Sequence, residues 1–365
     1  MGSFTSEHSP LNLTKGNTVV HFSFFTCQDC RMTDSFKILS LSGGGFLGLY
    51  TIAVLEDLEK RFGAPLAQRF DLIAGTSVGG IIACGLAAEI PAWKIKAAFE
   101  KNGTKIFSPR PAAKGAVSGV FDICRYLLKP KYKADFLKST VEDIVGEDTR
   151  VGELNHPLII PTVNLTKGRP QIFKTPHHPT LTEDAELKLS EIALATSAAP
   201  TYFPLAEVKN SLYADGGLYA NSPDLLALHE AEHFFGKHSS QISVLSIGTT
   251  TSQFSFAHST GRRLGSVAWM RQQRLVSVII ASQQYSVAFM MRHKLGNRYL
   301  RLDATQSKEQ ERELGLDVAN ADAQRTIRGL AEATIQDNIN SPELKRMFEN
   351  PANTKTFFSK AVRYE

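Results

Sequence analysis

The stretch FDLIAGTSVGG, residues 70–80, decides the fold, because an apolar run there leads into a serine between small residues. Residues 70–74 predict a short buried strand, and the small-residue segment that begins at Val78 predicts a closely packed helix. A sharp strand-to-helix turn tolerates only small residues beside its central position, and Gly75 and Gly79 meet that need around Ser77. The stretch predicts either a nucleophilic serine at an elbow or a serine in an ordinary glycine-rich turn.

A second glycine-rich segment, SGGGFLG at residues 42–48, directly follows a predicted strand at residues 36–41. Consecutive glycines leave backbone N–H groups free to converge on an anion, either a nucleotide phosphate or the oxyanion of acyl transfer. The nucleotide alternative needs G-x-G-x-x-G, which the segment matches at Gly43, Gly45 and Gly48. Glu59 would then bind the ribose, but it lies inside a predicted helix rather than after a second strand. The oxyanion interpretation is therefore favoured.

A serine nucleophile also needs a base. The usual hydrolase triad has an acid followed by a histidine, yet none of the eight histidines after Ser77 lies in an obvious loop that closes a late strand. Among them, His258 and His293 are the two whose replacement would test a triad. By contrast, Asp215 ends an apolar run and precedes two glycines, as an acid presented at a turn would.

Strand-like and helix-like patterns alternate along the chain. Further strands are expected at residues 157–163, 170–174, 211–214, 241–248 and 297–303, with helices between them, the clearest at 49–62. This alternation predicts an α/β protein whose mostly parallel sheet is covered by helices on both faces. We expect an N-terminal extension (1–35), one catalytic domain (36–345) with a helical C-terminal region (261–345), and a C-terminal tail (346–365).

The composition is that of a globular protein able to bury a core: 42% of the 365 residues are hydrophobic, 21% are charged, and the net charge is +5. That charge is too small to make nucleic acid the expected partner, although it suits an anionic membrane surface. Residues 101–138 carry nine Lys or Arg against two Asp, which indicates either a basic cap that faces lipid or a solvated loop. The sequence shows no signal peptide and no apolar run long enough to span a bilayer, so a cytoplasmic location is expected.

Four motifs in a fixed order resemble the patatin-like phospholipase family over roughly residues 36–345. They are SGGGFLGLYT (42–51), GTSVGG (75–80), TSAAPTYFP (196–204) and DGGLYANSP (215–223). The resemblance implies a three-layer α/β fold and a lipid acyl hydrolase without a cofactor. It also implies that Ser77 attacks the ester, that Asp215 takes and returns the proton, and that the amides of Gly43, Gly44 and Gly45 hold the oxyanion. Two positions depart from the family pattern, with Ser42 where Asp is usual and Leu47 where Arg or Lys is usual.

Within the family, the chain resembles bacterial phospholipase effectors that cyclic dinucleotides activate in anti-phage defence. The resemblance implies membrane phospholipids as substrate, a cyclic dinucleotide as activator, action at the inner membrane surface, and a homo-oligomer on activation. Basic residues in the C-terminal region could bind the activator's phosphates, or could form a solvated helix face: Arg262, Arg263, Arg271 and Arg274. The alternative function is a patatin scaffold that senses a nucleotide or lipid with little or no catalysis.

Two metal-like patterns are expected to hold no metal. The lone C-x-x-C of Cys27 and Cys30 lacks a second pair at zinc spacing, so reduced thiols are expected. HEAEH at residues 229–233 matches the zinc metalloprotease helix. In the patatin pattern, however, this helix follows the Asp215 turn and its outer face is solvated.

Overall fold

The computed structural model describes residues 35–63, 65–108, 130–250 and 274–352, together with residues 258, 262, 265, 269, 357 and 358. From Ser35 onward these residues belong to one compact unit. The N-terminal extension up to residue 34, with Cys27 and Cys30, lies outside the described residues, as do residues 109–129 of the basic segment.

Eight strands of the described chain form a single mixed sheet. In chain order they are β1 Phe36–Leu41, β2 Leu72–Gly75, β3 Leu158–Asn164, β4 Arg169–Lys174, β5 Ala206–Val208, β6 Ser211–Asp215, β7 Ile242–Ile247 and β8 Tyr299–Leu302. The strand order is β5-β6-β3-β2-β1-β7-β8, and β4 pairs with β3. The five strands from β3 to β8 are parallel along this path, whereas β4 and β6 run antiparallel to β3, and β5 antiparallel to β6.

The strand register explains why the carboxyl ends of β2 and β6 lie close together. Ile159 of β3 pairs with both β2 and β4, and Thr162 of β3 pairs with both β6 and β4. A strand has only two edges, so β2 and β6 must share the edge of β3 that β4 does not occupy. Because β2 runs parallel and β6 antiparallel to β3, the carboxyl ends of β2 and β6 point towards each other.

Helices cover both faces of the sheet. They are α1 Gly48–Phe62, α2 Val78–Ala87, α3 Ala92–Ile106, α4 Asp135–Val145, α5 Leu189–Thr196, α6 Gly217–Ala220, α7 Asp224–His233, α8 Arg274–Leu295, α9 Gln310–Glu313, α10 Ala321–Asn338 and α11 Pro342–Phe348. One core cluster joins the sheet to α1–α5, α10 and α11, and a second joins its other face to α7 and α8. The predicted three-layer α/β class is confirmed.

The predicted strands agree with the observed ones to within about two residues, and β5 is an addition. Residues 101–106 of the basic segment form the last turns of α3, and residues 135–138 form the first turn of α4. Helix α11 continues to Phe348, past the expected boundary of the tail. None of the helices in the described residues has the length and apolar character needed to cross a membrane.

Candidate active site

Ser77 lies at a strained turn between β2 and α2. Its φ of 55° and ψ of −127° fall where residues with a side chain are rarely found. The neighbouring glycines are required, since a Cβ on Gly75 would lie 2.2 Å from the Gly79 carbonyl oxygen. A Cβ on Gly79 would lie 2.4 Å from the Leu41 carbonyl oxygen. The turn thus has the geometry of a nucleophile elbow, with the serine at the N-terminus of a helix.

Asp215 meets Ser77 because it is the last residue of β6, the strand that points at the end of β2. The Ser77 hydroxyl donates a hydrogen bond to Asp215 Oδ2 at 2.6 Å. The other carboxylate oxygen, Oδ1, accepts the backbone N–H of Gly217 at 2.7 Å. Asp215 is only 6% exposed, so both of its oxygens are fixed in a buried position.

Burial raises the pKa of Asp215 from 3.8 to about 6, and the hydrogen bonds from Ser77 and Gly217 oppose that rise. The ionised carboxylate still predominates at neutral pH, but it is a stronger base than an exposed aspartate. A base with a pKa near the working pH is suited to proton transfer.

Thr196 holds the backbone of the elbow in place through two hydrogen bonds. Its hydroxyl accepts the backbone N–H of Ser77 at 3.0 Å and donates to the Pro161 carbonyl at 2.7 Å. Thr196 is fully buried at the end of α5. One side chain therefore ties the strained residue to β3.

The glycine segment lies beside Ser77, but its three amides are not equivalent. The Gly43 N–H donates to the Asn221 carbonyl at 2.9 Å. Its carbonyl accepts hydrogen bonds from Asn221 Nδ2 and Thr249 Oγ1, both at 3.1 Å. Among the described residues, the amides of Gly44 and Gly45 have no acceptor, and both glycines line the same cavity as Ser77. The Gly43 amide is therefore already hydrogen-bonded, whereas the amides of Gly44 and Gly45 are available for the predicted oxyanion.

The cavity in front of Ser77 is mostly apolar. It has a volume of about 150 Å³, and Ser77 and Asp215 lie in its wall. Its apolar lining comes from several helices, with Ile81 on α2, Phe99 and Ile106 on α3, Leu137 on α4, and Val276, Ile279 and Ile280 on α8. Leu218, directly after Gly217, lines the cavity and is 40% exposed, so it marks the mouth. An apolar lining of this kind favours an apolar ligand.

The alternatives raised by the sequence lie away from this site. Among the described histidines, none hydrogen-bonds with Ser77 or Asp215, and His293 bonds with the Phe289 carbonyl on α8. Glu59, the residue that would bind the ribose in the nucleotide alternative, instead accepts the backbone N–H of Ala92 at the start of α3.

The zinc-like helix α7 does not assemble a metal site. His229 and His233 stack on its exposed side, whereas Glu230 is 1% exposed and bonds with His177 and Lys174. No group of metal-ligating side chains occurs among the described residues. Of the four candidate activator-binding arginines, Arg262 is exposed, while Arg263, Arg271 and the side chain of Arg274 lie outside the described residues.

Sequence reasoning missed the residues that support the site. Asn221 and Thr196 fall within the quoted motifs DGGLYANSP and TSAAPTYFP, so the motifs signalled their importance but not their roles. Gln283 of α8 bonds with the Asn221 N–H and with the carbonyls of Gly217 and Leu218, and it holds the turn after Asp215. No local pattern could have pointed to Gln283, because it lies about 60 residues from its partners.

A three-layer α/β fold with a serine elbow, a facing aspartate and an adjacent glycine loop is the architecture of a serine acyl hydrolase. The family model "Patatin-like phospholipase" matches residues 39–228. A Pseudomonas aeruginosa protein named cGAMP-activated phospholipase is 37% identical over 89% of this chain and 95% of its own length. Vibrio cholerae and Escherichia coli proteins of the same name are 35% and 34% identical, over 88% and 87% of this chain and 97% and 93% of theirs. The chain belongs to the patatin-like phospholipase family, as the resemblance predicted.

Proposed function

We propose that this chain hydrolyses the acyl esters of membrane phospholipids with Ser77 as nucleophile and Asp215 as the only base. The observation that carries the proposal is the 2.6 Å hydrogen bond from the Ser77 hydroxyl to Asp215 inside a largely apolar cavity. The acyl chain would occupy the cavity, and the headgroup would remain at its mouth near Leu218.

In the first half of the reaction, Asp215 accepts the hydroxyl proton as Ser77 Oγ attacks the ester carbonyl. The amides of Gly44 and Gly45 then stabilise the oxyanion, assisted by the N-terminus of α2. Asp215 returns the proton to the leaving lysophospholipid alcohol, which leaves an acyl-Ser77. In the second half, Asp215 deprotonates a water molecule that attacks the acyl-enzyme, and the fatty acid leaves as Ser77 recovers its proton.

We further propose that a cyclic dinucleotide activates this chemistry at the inner membrane surface, with a homo-oligomer as the active form. The support is that three relatives spanning most of the chain are named cGAMP-activated phospholipases. Arg262, Arg263, Arg271 and Arg274 remain the candidates for binding the activator's phosphates.

The test is hydrolysis of a fluorogenic phospholipid in vesicles by the full chain, with and without cGAMP. We expect Ser77→Ala and Asp215→Asn each to lower kcat by ~10³-fold or more, as removal of a nucleophile or its base does. Ser197→Ala is the matched control, since Ser197 lines the same cavity but bonds with the Ala193 carbonyl. Wild-type turnover in either dyad variant, or loss of activity in His258→Ala or His293→Ala, would refute the dyad. Binding of cGAMP without hydrolysis by the wild type would favour a sensor.

A further inference from the structure

Three leucines are exposed on one face of the ribbon formed by β3, β5 and β6. Leu165 follows β3 and lies opposite Leu212 of β6, since the β3–β6 register continues through the bond from the Leu165 N–H to the Leu212 carbonyl. Leu205 precedes β5, and the β5–β6 register places it diagonal to Leu212. Directly opposed and diagonal residues project to the same side of a sheet. Leu165 and Leu205 are each 44% exposed, and Leu212 is 43% exposed.

Three cations accompany these leucines at the hairpin turns. Lys167 lies in the β3–β4 turn, Arg169 begins β4, and Lys209 lies in the β5–β6 turn. All three are exposed, and none forms an ion pair with a described residue. Glu207 of β5, paired with Leu212, is an acid on this surface, and Asp184 lies close enough to Lys209 for their charges to interact. The three leucines and three cations are called the leucine ribbon below.

The leucine ribbon lies at the same end of the sheet as the candidate active site, the end at which the parallel strands have their carboxyl termini. Both hairpin turns extend beyond the carboxyl end of β3, and this is the edge where β1 and β2 lead into the glycine segment and the elbow. Leu212 is three residues before Asp215, about 10 Å along an extended strand. A surface that meets the ribbon is therefore brought close to the cavity mouth.

We propose that the leucine ribbon is the surface by which the protein docks on an anionic phospholipid bilayer. The inference rests on the proposed function and adds the place of contact. Leucines would enter the interfacial region, and the cations beside them would bind lipid phosphates, which is the pattern of peripheral membrane attachment.

The charge of the ribbon favours a bilayer over a second protein. Lysine is depleted in protein–protein interfaces, whereas cations at the border of an apolar patch suit a surface of lipid phosphates. Long basic side chains can keep their charge at the phosphate level while their methylene groups contact apolar surface.

The test is co-sedimentation of the full chain with vesicles of phosphatidylglycerol and phosphatidylethanolamine, and with vesicles of phosphatidylcholine alone. Leu165→Ser combined with Lys167→Glu removes one leucine and reverses one charge, and we expect it to weaken binding to the anionic vesicles by ~10-fold or more. Trp93→Ser combined with Lys94→Glu is the matched control. These residues are an exposed apolar and basic pair at the start of α3, at the opposite edge of the sheet, and should leave binding unchanged.

A soluble short-chain ester separates docking from chemistry. We expect the Leu165–Lys167 variant to hydrolyse it at the wild-type rate while losing activity on vesicles. Wild-type vesicle binding by that variant, or an equal loss in the Trp93–Lys94 control, would overturn the proposal. So would a changed sedimentation coefficient without vesicles together with unchanged vesicle binding, which would identify a protein interface. Vesicle binding that depends on the ribbon, without any phospholipid hydrolysis in the presence or absence of cGAMP, would leave docking intact and refute the proposed function.

Discussion

Replacing Asp215 with asparagine should abolish activity and stabilise the protein. Asparagine has nearly the same shape, its Oδ1 can accept the Gly217 N–H, and its amide can donate to the Ser77 hydroxyl, so packing is preserved. What it removes is a negative charge that burial disfavours. A carboxyl pKa raised from 3.8 to about 6 corresponds to up to about 3 kcal/mol lost when the group ionises in the folded state.

The sign of this effect fixes its pH dependence. A carboxyl whose folded pKa is raised favours the folded state below its unfolded pKa, and that contribution disappears as pH rises through about 6. The variant should therefore exceed the wild type by about 3 kcal/mol in free energy of unfolding at pH 8, and by about half that at pH 5.

The assay is denaturant unfolding of both proteins at pH 5 and pH 8, alongside phospholipid hydrolysis. Ser77→Ala is the control, because it also removes activity but keeps the buried carboxyl. It removes the hydrogen bond that lowers the Asp215 pKa, so its stability should depend on pH at least as steeply as that of the wild type. An asparagine variant no more stable than the wild type at pH 8, or equal stability differences at both pH values, would refute the reasoning.

Four further predictions concern the same site. The kcat/KM for a soluble ester should rise through an apparent pKa of about 6 and level off above it; a rate that falls as pH rises through 6 would contradict a carboxylate base. Gly44→Ala should reduce kcat sharply, since its Cβ would lie 2.1 Å from Thr249 Oγ1, whereas Gly329→Ala, with open space around it, should not. Thr196→Val should lower kcat more than it changes KM, because the Ser77 N–H loses its acceptor, and Thr196→Ser should restore activity. Arg301→Met should lower the unfolding free energy by about 3 kcal/mol or more, because it removes the buried guanidinium that pairs with Asp303; denaturation measures this, and an unchanged midpoint would contradict it.

The sequence predicted the parts of the molecule that local patterns determine. Buried strands such as β1 and β7 are mostly apolar runs, and the elbow needs small residues at fixed spacing around Ser77, so both leave a signature in the sequence. The pairing of Ser77 with Asp215 came from the family resemblance, because the head-on meeting of β2 and β6 depends on sheet order.

Hydrogen bonds between residues far apart in the sequence could not be predicted from local patterns. The glycine pattern made Gly43 look equivalent to Gly44 and Gly45, yet its amide is occupied by Asn221, about 180 residues later. Arg301 in β8 likewise had no local signal, although its side chain hydrogen-bonds with Ser42, the first residue of the glycine segment.

Arg301 also explains how the chain accommodates its two departures from the family pattern. Leu47 is 7% exposed and packs in the main core, where a cation would have to be buried at considerable cost. The buried cation near the glycine segment comes instead from β8. Arg301 Nη1 donates to Ser42 Oγ at 3.3 Å, and Nη2 pairs with Asp303 at 2.6 Å.

The bracing continues from Asp303 back to the glycines. Asp303 Oδ1 accepts the N–H of Thr250, and the hydroxyl of the preceding residue, Thr249, donates to the Gly43 carbonyl. An aspartate at position 42 would add a further carboxylate beside an arginine that already pairs with Asp303, whereas the neutral Ser42 accepts from Arg301 and shares a hydrogen bond with Ser222. Ser42 and Leu47 therefore fit the same arrangement. The glycine loop is held through a backbone carbonyl and a neutral hydroxyl, and the cation that orients them, Arg301, is on β8.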